Sequence, residues 1–545
     1  MAIKKITIVG SGAMGSGISQ VCAQSGFDVA IYDVDAAQLA NATASIAKFI
    51  RRGVEKGERT AEEAEAAIAR VRPCADLAEA ARDCDLVIEA ILENMEAKKA
   101  LFRQLDAICP EHTIIASNTS SLSVSEMATA YGRPQRFIGA HFFNPAPVMR
   151  LVELIRGAET AQETVDTMVD VVRTLGKTPV IVRDSPNFIV NRVSRPLYFE
   201  AQLMAMEGVL VQHIDGAARL GAGLRMGPLE LLDLTGLAPH LASSETALRE
   251  WGDPKWRPVP IVRTLVRAGH LGRRAGKGFY LYPAGEQTPR IPSPSYDLEP
   301  FDVKAVAVVG TGPKAEGLAT KLGAAGYDTT LLPTLSDQAP SNGSAQMVFE
   351  AIESHDQSNV NELFQKLGSI CSPGAVLVTT SPYFSPTELG FVSGRPTLTI
   401  GLHEPMPFMN RRFFEIGKGM DTNGRTVATA LAVVKALGYQ AIAMDEMPCY
   451  TVYRLIVPMI NEAAFALSEG LASAEDIDTA LKLGLNHPFG PLEWADKLGI
   501  DVVLRIMQAL QSHYGDPRYR PSMLIRQMVR AGHLGEKTGR GFYVH

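Results

Sequence analysis

Short apolar runs rich in β-branched residues recur through the first third of the chain: ITIVG, DLVIEAI, TIIASN, FIGAHFF, RLVELI and TPVIV. Longer Ala-rich segments separate them. Runs of that length read as buried strands and the segments between them as crossover helices, so a parallel sheet flanked by helices is expected. From Ser185 the pattern changes, and RVSRPLYFEAQLMAMEGV spaces its apolar residues three and four apart, the period of a helix. The same change recurs at Met447, where YRLIVPMINEAAFALSEG follows.

That recurrence is part of a longer one. ITIVGSGAMGSGISQVCAQSGFDVAIYDVD returns as VAVVGTGPKAEGLATKLGAAGYDTTLLPTL from Val306, GRPQRFIGAHFFNP as GRPTLTIGLHEPMP, and LVRAGHLGRRAGKGFYLY as MVRAGHLGEKTGRGFYVH. The matches keep their order at an offset of about 262 to 300 residues, shrinking where the second copy lacks much of the segment Ala37 to Ala80. Ordered self-similarity of this length marks an internal duplication. The expected architecture is an α/β Rossmann-like domain plus an all-α helical domain, the pair duplicated in one chain. The boundaries fall at 1–184, 185–283, a Pro- and Ser-rich linker at 284–302, a degenerate Rossmann-like domain at 303–446, and a second helical domain at 447–545.

Composition narrows the function without naming it. With 46% hydrophobic and 21% charged residues, the 545-residue chain has an ordinary globular balance. A net charge of −6 argues against nucleic acid or an anionic membrane as partner, since both need a basic field. The six cysteines form no C-x-x-C pair and no zinc spacing, so no metal is expected and a reducing compartment is. With no secretory h-region and no long apolar stretch, a cytoplasmic protein is the expectation.

The chemistry starts at Gly10-Ser11-Gly12-Ala13-Met14-Gly15, which follows one strand and opens a helix. A second strand ends about 20 residues on in Tyr32-Asp33. This is the context of a dinucleotide site: Gly10 permits the turn, Gly12 admits the pyrophosphate, Gly15 lets helix and strand pack, and the helix N-terminus is positive. Asp33 would accept the ribose hydroxyls, which favours NAD over NADP. Two titratable residues, His141 closing FIGAH and Glu153 within RLVELI, stand where strand ends face the crevice. A His with a carboxylate partner suits removal of a hydroxyl proton as hydride leaves the same carbon.

SNTSSL, HFFNPAPVMRLVEL, DSPNFIVNR, GPLELLDLTGL and GKGFY together resemble the L-3-hydroxyacyl-CoA dehydrogenase family, over essentially all of the first copy and more weakly over the second. The combination looks like the tandem bacterial enzymes acting on 3-hydroxybutyryl- or 3-hydroxyadipyl-CoA. The resemblance implies His141 as general base and Glu153 as its orienting partner. It implies that Ser120 bonds the substrate near the nicotinamide and that Asn191 holds the reacting oxygens. Glu93, Lys98 and Asn144 match further NAD contacts, and Lys56 matches a basic position that meets the CoA phosphates. A solvated helix-end charge is the plainer reading of Lys56. Arg219 or Arg225 could meet a terminal carboxylate, if the substrate has one.

In the second copy His403 and Glu415 persist, but Gly15 becomes Ala315, Asp33 Pro333, Ser120 Pro382, Asn144 Met406 and Asn191 Tyr453. One working site is therefore expected, in the first half. Two-domain members of the family pair through their helical units, so helical copy two is expected to partner helical copy one within the chain, with a homodimer also open. The other readings are an NAD-dependent dehydrogenase of another secondary alcohol, such as a sugar acid, and an NAD-binding scaffold without activity.

Overall fold

The computed structural model of the chain describes residues 3–283, 298–334, 345–353 and 356–545. Most of the expected linker, residues 284–297, lies outside the described residues. Two compact units make up the chain.

The first unit holds an eight-stranded sheet: β1 Lys5–Val9, β2 Asp28–Tyr32, β3 Val71–Cys74, β4 Leu86–Glu89, β5 Ile114–Ser117, β6 Phe137–Phe142, β7 Leu151–Arg156 and β8 Thr178–Arg183. They lie in the order β3-β2-β1-β4-β5-β6-β7-β8. Every residue of β4, β5 and β6 is buried. Helices on both faces exclude water, which is why these strands read as continuous apolar runs rather than alternating ones. Ile6, Ile8, Ile88, Ala116, Ile138 and Val152 pack into one core with residues of the flanking helices.

The expectation of a parallel sheet needs one correction. β6 and β7 pair antiparallel, with His141 directly opposite Glu153. The connection, residues 143–150, is too short for a crossover, which takes a dozen residues or more, so the chain must turn back. Glu153 therefore stands mid-strand, not at a strand end, and meets His141 as a cross-strand neighbour.

The second unit repeats the plan with seven strands: β9 Ala305–Val309, β10 Asp328–Leu332, β11 Met347–Glu350, β12 Val376–Thr379, β13 Thr399–His403, β14 Phe413–Lys418 and β15 Gln440–Asp445. Their order is β10-β9-β11-β12-β13-β14-β15, again with one antiparallel pair, β13 and β14. Among the described residues it has no counterpart of β3 or of the helices Ala36–Glu55 and Ala61–Ala69. The shrinking offset in sequence corresponds to this loss.

The helices are exchanged between copies. Residues 462–493, from the second copy, belong to the unit of the first sheet; residues 195–248, from the first copy, belong to the unit of the second. Each exchange carries a buried ion cluster. In the first unit Arg192 pairs with Glu462 and Glu469, both at 2.8 Å. In the second, Arg454 pairs with Glu200 at 2.9 Å and with Glu207 at 2.7 Å. These are the same three positions with the copies reversed. Both guanidiniums are almost wholly buried, so removing either arginine would leave a buried glutamate uncompensated, at a cost of about 3–5 kcal/mol.

Candidate active site

The Gly10 turn is built as the motif demands. Gly10 has φ +101°, and a Cβ there would lie 2.6 Å from the Ala90 carbonyl oxygen. A Cβ at Gly15 would collide with the Gly10 carbonyl, whereas one at Gly12 meets nothing within 4 Å. The turn is thus packed on its inner side and open at Gly12, the cradle a pyrophosphate needs, with Ala13 and Met14 opening the helix Ala13–Gln24 behind it. Asp33 caps the neighbouring strand. Its Oδ2 accepts from the Ser11 N–H at 2.7 Å, the Ser11 hydroxyl at 2.8 Å and Gln38 at 3.0 Å. Partial burial opposes the charge, but these bonds and the Asp35 N–H outweigh it and hold the carboxyl below its usual range.

Around the ends of β4 and β5 a second cluster forms. Glu93 Oε1 accepts from the Thr119 hydroxyl at 2.7 Å and the Ser120 N–H at 2.9 Å. Burial works against this carboxylate, but Lys98 and these donors keep it ionised below its usual range. Lys98 itself is 1% exposed and spends its ammonium on Glu89 at 2.6 Å and Glu93 at 3.4 Å. Expected among the cofactor contacts, Lys98 lies buried beneath Glu93 and is paired with it and with Glu89. Glu89 was not foreseen; a carboxylate inside the run DLVIEAI carries no signal apart from its burial.

The dyad lies deeper. His141 Nδ1 and Glu153 Oε2 are 2.7 Å apart, and His141 is 8% exposed. Glu153 is fully buried, and its Oε1 accepts from the backbone N–H groups of Ile189 at 3.1 Å and Val190 at 2.9 Å. What aims both donors is a turn in which Asn187 (φ 67°) and Phe188 (φ 51°) adopt the left-handed conformation. For a bulky residue like Phe188 that conformation is strained and needs the surrounding packing to hold it. The motif DSPNFIVNR points to this segment through Asn191, but its stronger contribution is these two N–H groups. Phe143, its ring centroid 4.5 Å from the His141 ring, and Asn118, whose Oδ1 accepts from the Phe142 N–H at 2.8 Å, are further neighbours the motifs did not single out.

With Nδ1 committed to Glu153, Nε2 is the nitrogen left to take a proton. Asn191 Nδ2 donates to the Ser120 carbonyl at 3.4 Å, so the two are brought together beside this cluster. Asn144 is exposed in the turn between β6 and β7. Lys56 is not gathered in: it is an exposed C-cap of the helix Ala36–Glu55, where a cation is favoured by the helix dipole whatever else it does. Its neighbour Arg51 is paired with Glu65. Arg219 pairs with Glu230 on a helix, Val211–Leu220, that packs against β15.

The same positions in the second unit do not make a dyad. Glu415 Oε1 accepts from Thr451 and Val452, but Oε2 has no partner and neither does His403 Nε2. The His403 ring packs instead on Tyr450 and Tyr453, with centroids 5.3 and 4.8 Å away. Burial pushes Glu415 up to about 8 and His403 down to about 3, so near neutral pH neither is charged. The Gly turn has changed too. Ala315 cannot pack as Gly15 does, and Gly312 sits at φ +82° where Gly12 has −61°. Lys314, in place of Met14, lines a crevice of about 600 Å³ together with His403 and Tyr453. Burial lowers its basicity, while Glu350 and Glu353 support the charge. Its charge acts from the Gly turn on Glu350, the counterpart of Glu89, but burial still raises that carboxyl above its usual range.

Comparison with known proteins now has a site to refer to. The NAD binding domain of 3-hydroxyacyl-CoA dehydrogenase matches residues 5–185 and 333–447, and the C-terminal domain matches 188–282 and 450–545. The chain belongs to the 3-hydroxyacyl-CoA dehydrogenase family. It is 33% identical over 527 residues to a 3-hydroxyadipyl-CoA dehydrogenase of Escherichia coli (strain K12), covering 96% of this chain and 97% of that one. Its first half is similar to a probable 3-hydroxybutyryl-CoA dehydrogenase of Bacillus subtilis (strain 168), at 46% identity over 283 residues, 52% of this chain and 98% of the relative. A crystal structure of 3-hydroxybutyryl-CoA dehydrogenase from Escherichia coli K12 superposes with a TM-score of 0.78 at 32% identity, over 98% of this chain and all of the other.

As a member of this dehydrogenase family the chain is an NAD-dependent oxidoreductase with duplicated Rossmann and helical parts. Among the described residues no helix is long and apolar enough to cross a membrane, and no cluster of His, Cys, Asp or Glu could hold a metal ion. The six cysteines are free and buried. Asp33→Ala is expected to lower kcat/KM for NAD by about 10- to 100-fold, the worth of a hydrogen bond or two to a charged acceptor. It should also narrow the preference over NADP; steady-state kinetics with both cofactors would check this, and an unchanged ratio would remove Asp33 from cofactor selection.

Proposed function

We propose that this chain oxidises an L-3-hydroxyacyl-CoA to the 3-oxoacyl-CoA at one site, in the first half, with His141 as general base and Glu153 as its orienting partner. The observation that carries this reading is the contrast between two copies of one dyad, bonded at 2.7 Å in the first half and unbonded and uncharged in the second. NAD, when bound, supplies the hydride acceptor, and Gly10, Gly12, Gly15, Asp33 and Glu93 are the residues that would hold it.

His141 takes the substrate hydroxyl proton on Nε2. The imidazolium so formed is stabilised by Glu153, which need not move because its far oxygen is already fixed by Ile189 and Val190. Ser120 and Asn191 orient the reacting oxygen. The exchanged helices favour a further reading: the two helical parts pair within the chain, as an intrachain pseudo-dimer. CoA thioesters of 3-hydroxybutyrate and 3-hydroxyadipate, named for the relatives, are the substrates to try first.

The test is NADH formation by the full chain. Turnover of L-3-hydroxybutyryl-CoA or its ω-carboxylated analogue, with none on the free acid, supports the proposal. Activity confined to a free hydroxy acid or a sugar acid would overturn it, and so would none on any alcohol. Titration of NADH fluorescence should give one site per chain; two equal sites would refute the single-site assignment.

A further inference from the structure

The helix Ala474–Leu485 comes from the second copy but folds into the unit of the first sheet. At one end it is tied to β8, the edge of that sheet: the Arg183 N–H donates to the Leu471 carbonyl at 2.9 Å, and the Ile181 N–H to Asp476 Oδ2 at 3.4 Å. A free strand edge is thereby partly satisfied. At the other end Gly484 is buried against two side chains, Leu151 and Val190. A Cβ at Gly484 would lie 3.1 Å from Leu151 Cδ2 and 3.1 Å from Val190 Cγ2. Leu151 begins β7, the strand that carries Glu153, and Val190 supplies one of the two N–H groups on the Glu153 carboxylate. The one glycine in the second half's helix thus touches both the strand under Glu153 and the turn that aims its donors.

We propose that Gly484 is a positioning residue for the first-half dyad: by letting this helix lie close, the second half sets the register of Glu153 against His141. The inference rests on the assignment of the dyad made above. It gives the second copy a part in the reaction that needs no ligand of its own.

The duplication provides an internal control. Gly221, at the same position of the first copy, ends the helix Val211–Leu220, and a Cβ there would lie 2.6 Å from Val452 Cγ2 and 3.0 Å from Phe413 Cδ1. Val452 donates to Glu415 as Val190 does to Glu153, but Glu415 makes no bond to its histidine. The packing penalty at Gly221 is at least as large, with no dyad to disturb.

The experiment compares Gly484→Ala, Gly484→Val and Gly221→Ala in the full chain, measuring kcat, KM for L-3-hydroxybutyryl-CoA, NADH affinity and Tm. Gly484→Ala is expected to lower kcat about tenfold and Gly484→Val about 100-fold, the scale of an ångström of misplacement, with KM and NADH affinity within about threefold. Gly221→Ala should lower Tm by as much or more and leave kcat within about twofold. Adding Val190→Ala to Gly484→Val, which makes room and keeps the N–H donor, should restore at least half of the lost activity on a logarithmic scale. Unchanged kcat in Gly484→Ala, an equal loss in Gly221→Ala, or no rescue would each overturn the proposal. Loss of kcat in His141→Ala beside unchanged kcat in Gly484→Ala would sink the positioning role alone. Unchanged kcat in both would mean the dyad assignment itself had failed.

Discussion

His141→Ala is expected to lower kcat by about 10²- to 10⁴-fold while NADH binds as before, whereas His403→Ala leaves kcat within about twofold. The two histidines stand at equivalent positions opposite equivalent carboxylates, so the difference reports the bond to the carboxylate together with the polar residues that only the first copy keeps. At His141 the 2.7 Å contact fixes the ring and leaves Nε2 as the basic nitrogen. At His403 burial, helped by the charge of Lys314, holds the ring neutral down to about pH 3, and such a group has little capacity to accept a proton. Comparable losses in the two variants, read from initial rates of NADH formation, would place chemistry in both halves. An unaffected His141→Ala would remove it as the base.

Glu153→Gln should cost as much, about 10³- to 10⁴-fold in kcat, for a different reason. Oε1 accepts two backbone N–H groups, so the amide of a glutamine would place its oxygen there and turn its NH2 toward His141 Nδ1. The imidazole would then carry its proton on Nε2, the nitrogen that has to accept one. Geometry and packing survive while the tautomer is wrong. Glu153→Ala instead leaves two buried N–H groups unpaired, at about 1–3 kcal/mol each, and should lower Tm as well as kcat. Circular dichroism melting beside the kinetics separates the two; a fully active Glu153→Gln would end the tautomer argument.

The strands were legible in the sequence because burial on both faces writes them as unbroken apolar runs, and the Gly turn because its backbone demands glycine at fixed spacing. Direction was not: nothing in RLVELI distinguishes a strand that continues the parallel sheet from one that turns back, and the length of the preceding loop was the clue. The depth of Lys98 was hidden for a similar reason. EAILENMEAKK shows a charged helix start, and only the fold shows that two of its carboxylates and one lysine are consumed by each other. That only one site works was expected from the polar residues lost in the second copy, but that His403 and Glu415 stand unbonded was not legible, since both are present. His403 packs instead on Tyr450 and Tyr453. Nor could periodicity reveal the exchange of helices, because the same apolar faces would fit either copy.

That exchange has a consequence for how the protein is made. The unit bearing His141 comprises residues 1–194, a short segment, 249–252, and a segment, 462–493, encoded far downstream. A ribosome adds about 5–20 residues each second, so the first sheet waits some tens of seconds before the helix that closes its β8 edge emerges. Through that interval the edge strand and the apolar patch around Leu151 and Val190 are bare, a surface open to aggregation and to chaperones. Slow codons or a stall between the halves would prolong that exposure, and a chain released before residue 462 would keep His141 and Glu153 yet lack the segment that completes their unit.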